Sequence, residues 1–291
     1  MHRFIYHIAS GEVFATGALL LLLAALLSLH QRSRVAQYAA LFGILGAIAV
    51  AISSAPLSYW FYVPAGLILA AWLVTAWGTT ASPARRRAAA ALLVGIAVLG
   101  VALEMPYHIV PSIDVASASA ITIFGDSLAA GVGNDADHTW PTLLARESGR
   151  PVHDHSRAGA TAASALKQAK QIDIPDGVVL VEIGGNDLLG TTSADEFAAD
   201  LDALLKHLST PGRQIVMFEL PLPPFANAFG RAQRQLATRY KVTLIPKRIL
   251  AEVLAGHDAT LDSIHLTPAG HRFLARQIQS ILGLLAAGKP A

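Results

Sequence analysis

The residues best suited to chemistry are a serine, an aspartate and a histidine that occur in that order along the chain. Ser127 stands in ITIFGDSLAAG, directly after an apolar run that ends at Phe124, and Asp262 precedes His265 by three residues in DSIHLTPAGH. A serine hydroxyl becomes a nucleophile when a histidine removes its proton and an acid holds that histidine in the correct tautomer. These residues predict acyl transfer with Ser127 as nucleophile, His265 as base and Asp262 as the orienting acid.

Attack on a carbonyl also needs hydrogen-bond donors for the oxyanion that forms. Three candidates are the backbone N–H of Ser127 at the start of a helix, the N–H of Gly159 in HSRAGAT, and the side-chain amide of Asn186 in EIGGND. An ordinary helix cap or turn would explain each motif alone. Their joint occurrence favours a catalytic site.

The elements that must position these residues alternate between strand-like and helical patterns. Apolar Val- and Ile-rich runs are predicted as strands at 121–124, 152–155, 178–183, 214–219 and 242–245. Helical patterns are predicted at 140–147, 162–171, 194–208, 229–240, 247–254 and 268–285. This alternation predicts a parallel α/β sheet covered on both faces. The candidate residues follow strand ends, where such folds bind ligands.

The four motifs FGDSLAAG, AGAT, GGND and DSIHLTPAGH resemble the sequence blocks of the GDSL or SGNH hydrolase family. The order and spacing are most similar to its bacterial arylesterase, thioesterase and lysophospholipase branch. The resemblance covers residues 120–287 and implies a three-layer α/β/α, flavodoxin-like domain that hydrolyses esters or thioesters without a metal or organic cofactor. It assigns Ser127, Gly159, Asn186 and His265 to the four family positions and Asp262 to the acid.

Residues 1–108 have a different composition, with very few charges and four long apolar segments. These segments, at about 13–29, 35–52, 59–77 and 88–103, approach the roughly 20 apolar residues that cross a bilayer. They predict an all-α domain of four transmembrane helices, followed by a linker at 109–119.

The arginines between these segments predict the orientation in the membrane. Arg32 and Arg34 lie in the first connection, Arg85–Arg87 lie in the third, and the second carries no charge. Because basic loops stay on the cytoplasmic side, both termini and the hydrolase domain are expected on the periplasmic, extracytoplasmic side of a bacterial inner membrane.

The remaining features narrow the expected partners. The net charge of +2 and the scattered basic residues give no sign of nucleic-acid binding, and the absence of cysteine excludes thiolate metal sites. His153 and His155 lack a third ligand at suggestive spacing, so no metal is expected. Phe225 and Phe229 follow a Pro-rich stretch and are candidates for an acyl-pocket wall, with a rigid structural loop as the alternative.

The sequence predicts a membrane-anchored serine esterase that acts through an acyl-enzyme on acyl esters of membrane lipids or envelope glycans. Two alternatives stay open. An acyltransferase would use the same Ser-His-Asp site, and a membrane scaffold subunit would carry an inactive hydrolase-like domain.

Overall fold

The computed structural model describes residues 3–30, 33–78, 81–113, 115, 118–131, 138–256, 259–262 and 264–284, without the side chains of 33–36. The chain divides into two compact units. One unit contains residues 7–108 together with 222–227, and the other contains residues 1–6, 109–221 and 228–291. We call them the helical unit and the sheet unit.

The helical unit is built from apolar helices that follow the predicted segments closely. They are α2 (Glu12–Ser28), α3 (Ser33–Ile52), α4 (Tyr59–Trp77) and α5 (Pro83–Glu104), which continues into a 3₁₀ turn at Met105–His108. Helix α1 (Arg3–Ala9) precedes them, and its residues 3–6 are assigned to the sheet unit. Glycines allow close packing, because a Cβ added to Gly17 would lie 2.8 Å from the carbonyl oxygen of Gly46. The short helix α1 was not predicted, and Gly11 with φ of 86° separates it from α2.

Among the residues that the structure describes, two helices have the length and composition of a membrane span, Tyr59–Trp77 and Pro83–His108. A third span results if α1 and α2, which are bent by 86°, count as one. Helix α3 has 20 residues, of which only the apolar stretch Gln37–Ile52 has described side chains. The sequence predicts four spans, and the described residues support two or three of them.

The sheet unit contains the predicted parallel sheet. Its strands are β1 (Ala120–Gly125), β2 (Val152–Asp154), β3 (Gly177–Glu182), β4 (Arg213–Phe218) and β5 (Thr243–Ile245), in the order β2-β1-β3-β4-β5 and all parallel. The two central strands β1 and β3 are buried along almost their whole length, which explains their continuous apolar sequences.

Helices follow each strand and cover the sheet. They are α6 (Ser127–Ala130), α7 (Trp140–Glu147), α8 (Ala162–Ala169), α9 (Gly185–Leu189), α10 (Ala194–Leu208), α11 (Asn227–Tyr240), α12 (Lys247–Ala255) and α13 (Pro268–Ile281). One core joins α7, α12 and α13 to alternate strand residues such as Ile121, Leu180 and Val216. The other strand positions, such as Val179 and Val181, are also fully buried, so the sheet is covered on both faces.

Two segments differ from their expected form. The described residues of 109–119 lack regular structure, as a linker would, but Ile113 and Val115 are buried in the sheet-unit core, and the Ile113 N–H donates to the carbonyl of Ile281 at 2.7 Å. Helix α13 ends at Ile281 rather than near residue 285. The described residues of 109–119 thus include positions that are packed into the sheet unit.

Candidate active site

Ser127 lies where β1 turns into a four-residue helix. Asp126 caps this helix, because its Oδ1 accepts the N–H of Leu128 at 2.9 Å. A Cβ on Gly125 would lie 2.4 Å from the Cβ of Ala129, so the turn requires glycine. Ser127 is 8% exposed, and its own N–H makes no hydrogen bond within the described part of the chain. This free N–H is available to an oxyanion.

Asp262 and His265 form a close pair in the loop before α13. Asp262 Oδ2 lies 2.7 Å from His265 Nδ1, while Oδ1 accepts the backbone N–H groups of His265 at 2.8 Å and Ile264 at 3.1 Å. The backbone N–H of His265, its side chain and the N–H of Ile264 lower the pKa of Asp262 to about 2. The acid is therefore ionised at neutral pH, holds the proton on Nδ1 and leaves Nε2 free to accept one.

Among the described residues, no hydrogen bond joins His265 to Ser127. A positive charge on His265 would lower the pKa of Asp126, the residue before Ser127. Catalytic hydrogen bonds are often long without substrate and shorten in the complex. This separation is compatible with the predicted roles of Ser127 and His265.

Gly159 occupies a turn that suits an exposed backbone donor. Its φ is +77°, the left-handed region that favours glycine, and the Ala160 N–H closes the turn on the carbonyl of Arg157 at 3.0 Å. No atom lies within 4 Å of an added Cβ, and the Gly159 N–H has no partner among the described residues. Gly159 thus offers a second unengaged N–H.

Asn186 is on α9, a short helix where the sequence suggested a turn. Its Nδ2 donates to Asp126 Oδ2 at 3.2 Å and to the carbonyl of Ala160 at 3.1 Å. The next residue, Asp187, is 1% exposed and accepts the N–H of Ala162 at 3.0 Å, which fixes the start of α8. The amide of Asn186 therefore bridges the loop that carries Ser127 and the loop that carries Gly159.

Glu182 and Asp126 form a buried acid pair that was not predicted from the sequence. Glu182, at the end of β3, is 2% exposed, and its Oε2 accepts the N–H of Asp126 at 3.2 Å. Burial, and then the charge of Asp126, raise the pKa of Glu182 well above its usual range, while burial raises the pKa of Asp126 to about 6. The signal in the sequence is an acid inside an otherwise apolar strand, VVLVEI.

The two phenylalanines proposed as a pocket wall have different surroundings. Phe229 is 9% exposed, and its ring centroid lies 5.2 Å from that of Phe197, so it belongs to the core of the sheet unit. Phe225 is 80% exposed and has φ of 67°. Neither environment is that of a formed acyl pocket.

The described residues contain no cluster of three or more His, Cys, Asp or Glu side chains that could hold a metal ion. His155 instead stacks its ring on Phe124, with centroids 5.6 Å apart. The chemistry available at this site is that of a hydroxyl, an imidazole–carboxylate pair and amide donors.

Comparisons with known proteins agree with this chemistry. Residues 123–273, about half of the chain, match the GDSL-like Lipase/Acylhydrolase family. Esterase TesA of Pseudomonas aeruginosa is 25% identical over 45% of this chain and 71% of its own length. Thioesterase 1/protease 1/lysophospholipase L1 of Escherichia coli is 27% identical over 57% of this chain and 86% of its own length.

A solved structure agrees as well. The crystal structure of TesA covers 57% of this chain and 99% of that protein, with a TM-score of 0.51 and 25% identity. The region that matches the family, residues 123–273, includes Ser127 and the pair Asp262–His265. The chain is therefore a serine ester hydrolase that belongs to the GDSL-like Lipase/Acylhydrolase family.

Proposed function

We propose that this protein is a membrane-held esterase in which Ser127, His265 and Asp262 form the catalytic triad. The observation that carries the proposal is the 2.7 Å contact between the ionised Asp262 and His265 Nδ1, in a domain of the serine esterase family. The unengaged N–H groups of Ser127 and Gly159, with the amide of Asn186, support an oxyanion site.

The reaction follows from the protonation states of these groups. His265 Nε2 takes the proton of Ser127 as Oγ bonds to the ester carbonyl carbon, and the carbonyl oxygen becomes an oxyanion. The imidazolium, stabilised by Asp262, then protonates the leaving alkoxide as the ester C–O bond breaks. A water molecule attacks the acyl-enzyme, gives its proton to His265 and releases the carboxylic acid while Ser127 recovers its proton.

The helical unit supports a location at the membrane. Its two or three helices of membrane-spanning length would hold the hydrolase domain near lipid, so that substrates in or near the bilayer are present at high effective concentration. The arginines at 85–87 favour the extracytoplasmic side for the hydrolase domain. We therefore propose acyl esters of membrane lipids or of envelope glycans as substrates.

The substrate test uses the full-length protein in liposomes. Hydrolysis of a lysophospholipid and of an O-acetylated oligosaccharide is compared between wild type and Ser127→Ala, with p-nitrophenyl butyrate as the reference ester. Loss of cleavage of either substrate in Ser127→Ala supports the proposal. Cleavage of the reference ester alone would overturn both substrate classes. If the acyl group passes to an added alcohol in preference to water, the protein is an acyltransferase rather than a hydrolase.

The location has its own test. Protease added to intact spheroplasts is expected to remove the hydrolase domain while the helical unit stays in the membrane. Full protection of the domain, with cleavage after the membrane is permeabilised, would place the active site on the cytoplasmic side.

A further inference from the structure

Asp126 makes more contacts than capping a four-residue helix requires. Its carboxylate is 3% exposed, with Oδ1 on the N–H of Leu128 and Oδ2 on the side chain of Asn186. A Cβ on Gly185 would lie 2.9 Å from Asp126 Oδ2, so glycine is needed there for the close approach. The fold thus brings an acid directly against a proposed oxyanion donor.

Asn186 is oriented by this contact. One N–H of its amide group donates to Asp126 Oδ2. The other N–H donates to the carbonyl oxygen of Ala160, the residue after Gly159. Both N–H groups of the amide are therefore engaged in this structure, and donation to an oxyanion requires the second N–H to leave the Ala160 carbonyl while the first stays on Asp126. Rotation of the amide by half a turn would present its oxygen to a carboxylate, which is repulsive.

The groups that face Asp126 keep it a hydrogen-bond acceptor at neutral pH. Burial has the largest effect on Asp126 and raises its pKa, as does Asp187 on α9. Glu182 on β3, which accepts the backbone N–H of Asp126 at 3.2 Å, acts to lower that pKa, and the positive charge that His265 gains in the transition state would act in the same direction. Two neighbouring buried carboxyl groups do not both ionise, and Glu182, whose pKa is raised well above its usual range, keeps the proton.

We propose that Asp126 is a positioning residue whose ionised carboxylate, supported by protonated Glu182, holds the Asn186 amide in the orientation that an oxyanion needs. The proposal rests on the oxyanion role assigned to Asn186 above. Because the pKa of Asp126 is about 6, positioning is lost as the pH falls through that value.

The test is a double-mutant cycle on the full-length protein with p-nitrophenyl butyrate. Asn186→Ala removes the donor and is expected to lower kcat by about 10²- to 10³-fold with little change in KM. Asp126→Asn is expected to lower kcat by roughly tenfold in the wild-type background and by less than about threefold in Asn186→Ala, because it acts through the missing amide.

Asp187→Asn is the matched control, since Asp187 is also a buried acid in the same region but contacts Ala162 rather than the Asn186 side chain. Asp187→Asn is expected to change kcat by the same factor in wild type and in Asn186→Ala. Equal effects of Asp126→Asn in the two backgrounds would overturn the inference and leave the oxyanion role of Asn186 standing. A normal kcat in Asn186→Ala would remove that role and the inference with it.

A second variant covers the case in which Asp126→Asn does not fold. Glu182→Met removes the proton donor, so the pKa of Asp126 rises and the acid limb of the kcat profile moves to higher pH, whereas Glu182→Gln keeps a donor and leaves the limb near its wild-type position. An unmoved acid limb in a folded Glu182→Met protein, checked by its Tm, would contradict the proposal.

Discussion

Replacement of Asp262 by asparagine removes one charge and keeps the shape of the side chain. The wild-type carboxylate accepts three hydrogen bonds, including the 2.7 Å bond from His265 Nδ1. Asparagine can offer an N–H to the same nitrogen and so favours the wrong tautomer of His265. It also leaves the imidazolium of the transition state without its counterion.

The exposure of the pair sets the size of the effect. In buried triads this exchange lowers kcat by about 10⁴-fold. Here the side chains of Asp262 and His265 are 56% and 31% exposed, so water screens the pair and can replace part of the lost bond. We expect a loss of about 10²-fold in kcat for Asp262→Asn, between the buried and the fully solvated limits. Because the pKa of Asp262 is about 2, this ratio should be constant from pH 5 upwards.

The assay is steady-state hydrolysis of p-nitrophenyl butyrate by the full-length protein in detergent. Asp202→Asn is the matched control, because Asp202 also has a 2.7 Å ion pair, with Arg239, in the same unit but outside the proposed site. It should change kcat by less than about twofold. Activity of Asp262→Asn within threefold of wild type, or a loss that disappears at high pH, would refute the orienting role of Asp262.

Three further predictions concern stability, measured as the free energy or midpoint of unfolding. Phe229→Ala should cost about 3 kcal/mol of stability because the ring is packed in the core. Phe225→Ala removes a ring that is 80% exposed and should cost less than about 0.5 kcal/mol. Equal costs would contradict this assignment of the two rings. Gly177→Ala should cost more than about 3 kcal/mol of stability, since Gly177 has a φ of +135° and an added Cβ would lie 2.2 Å from a carbonyl oxygen of β1. Gly149 has a φ of +66° with open space around an added Cβ, so Gly149→Ala should cost only about 1 kcal/mol. The native pKa of Asp126 is about 6 against an ordinary 3.8, so the native state holds this proton more tightly than the unfolded chain does. Wild type should therefore lose about 2.4 kcal/mol of stability relative to Asp126→Asn as the pH rises from 4 to 7, and parallel pH profiles would contradict this expectation.

Much of the architecture follows from local sequence patterns. The central strands β1 and β3 lie where apolar runs predict them, because a strand buried on both faces needs apolar residues at every position. The contact between Asp262 and His265 was also predictable, since the two residues are only three positions apart and one loop suffices to join them. Helices α2 to α5 likewise follow the apolar segments.

Features that depend on distant packing were not predictable in the same way. His271 is fully buried and accepts the N–H of Trp140 at 3.2 Å, because α13 packs on α7, and no local sequence pattern indicates this contact. Helix α9 is too short to show a helical period, so its sequence indicated only a turn. The contact of Glu182 with Asp126 spans 56 positions and needs the register of two strands to be known.

The central claim is that the hydroxyl of Ser127 is the nucleophile activated by His265. The most direct measurement treats membranes that contain the full-length protein with a fluorophosphonate probe and maps the modified peptide by mass spectrometry. We expect one adduct, on Ser127, that is absent in Ser127→Ala and forms much more slowly in His265→Ala. A stable adduct on another residue, or undiminished labelling of Ser127→Ala, would contradict it.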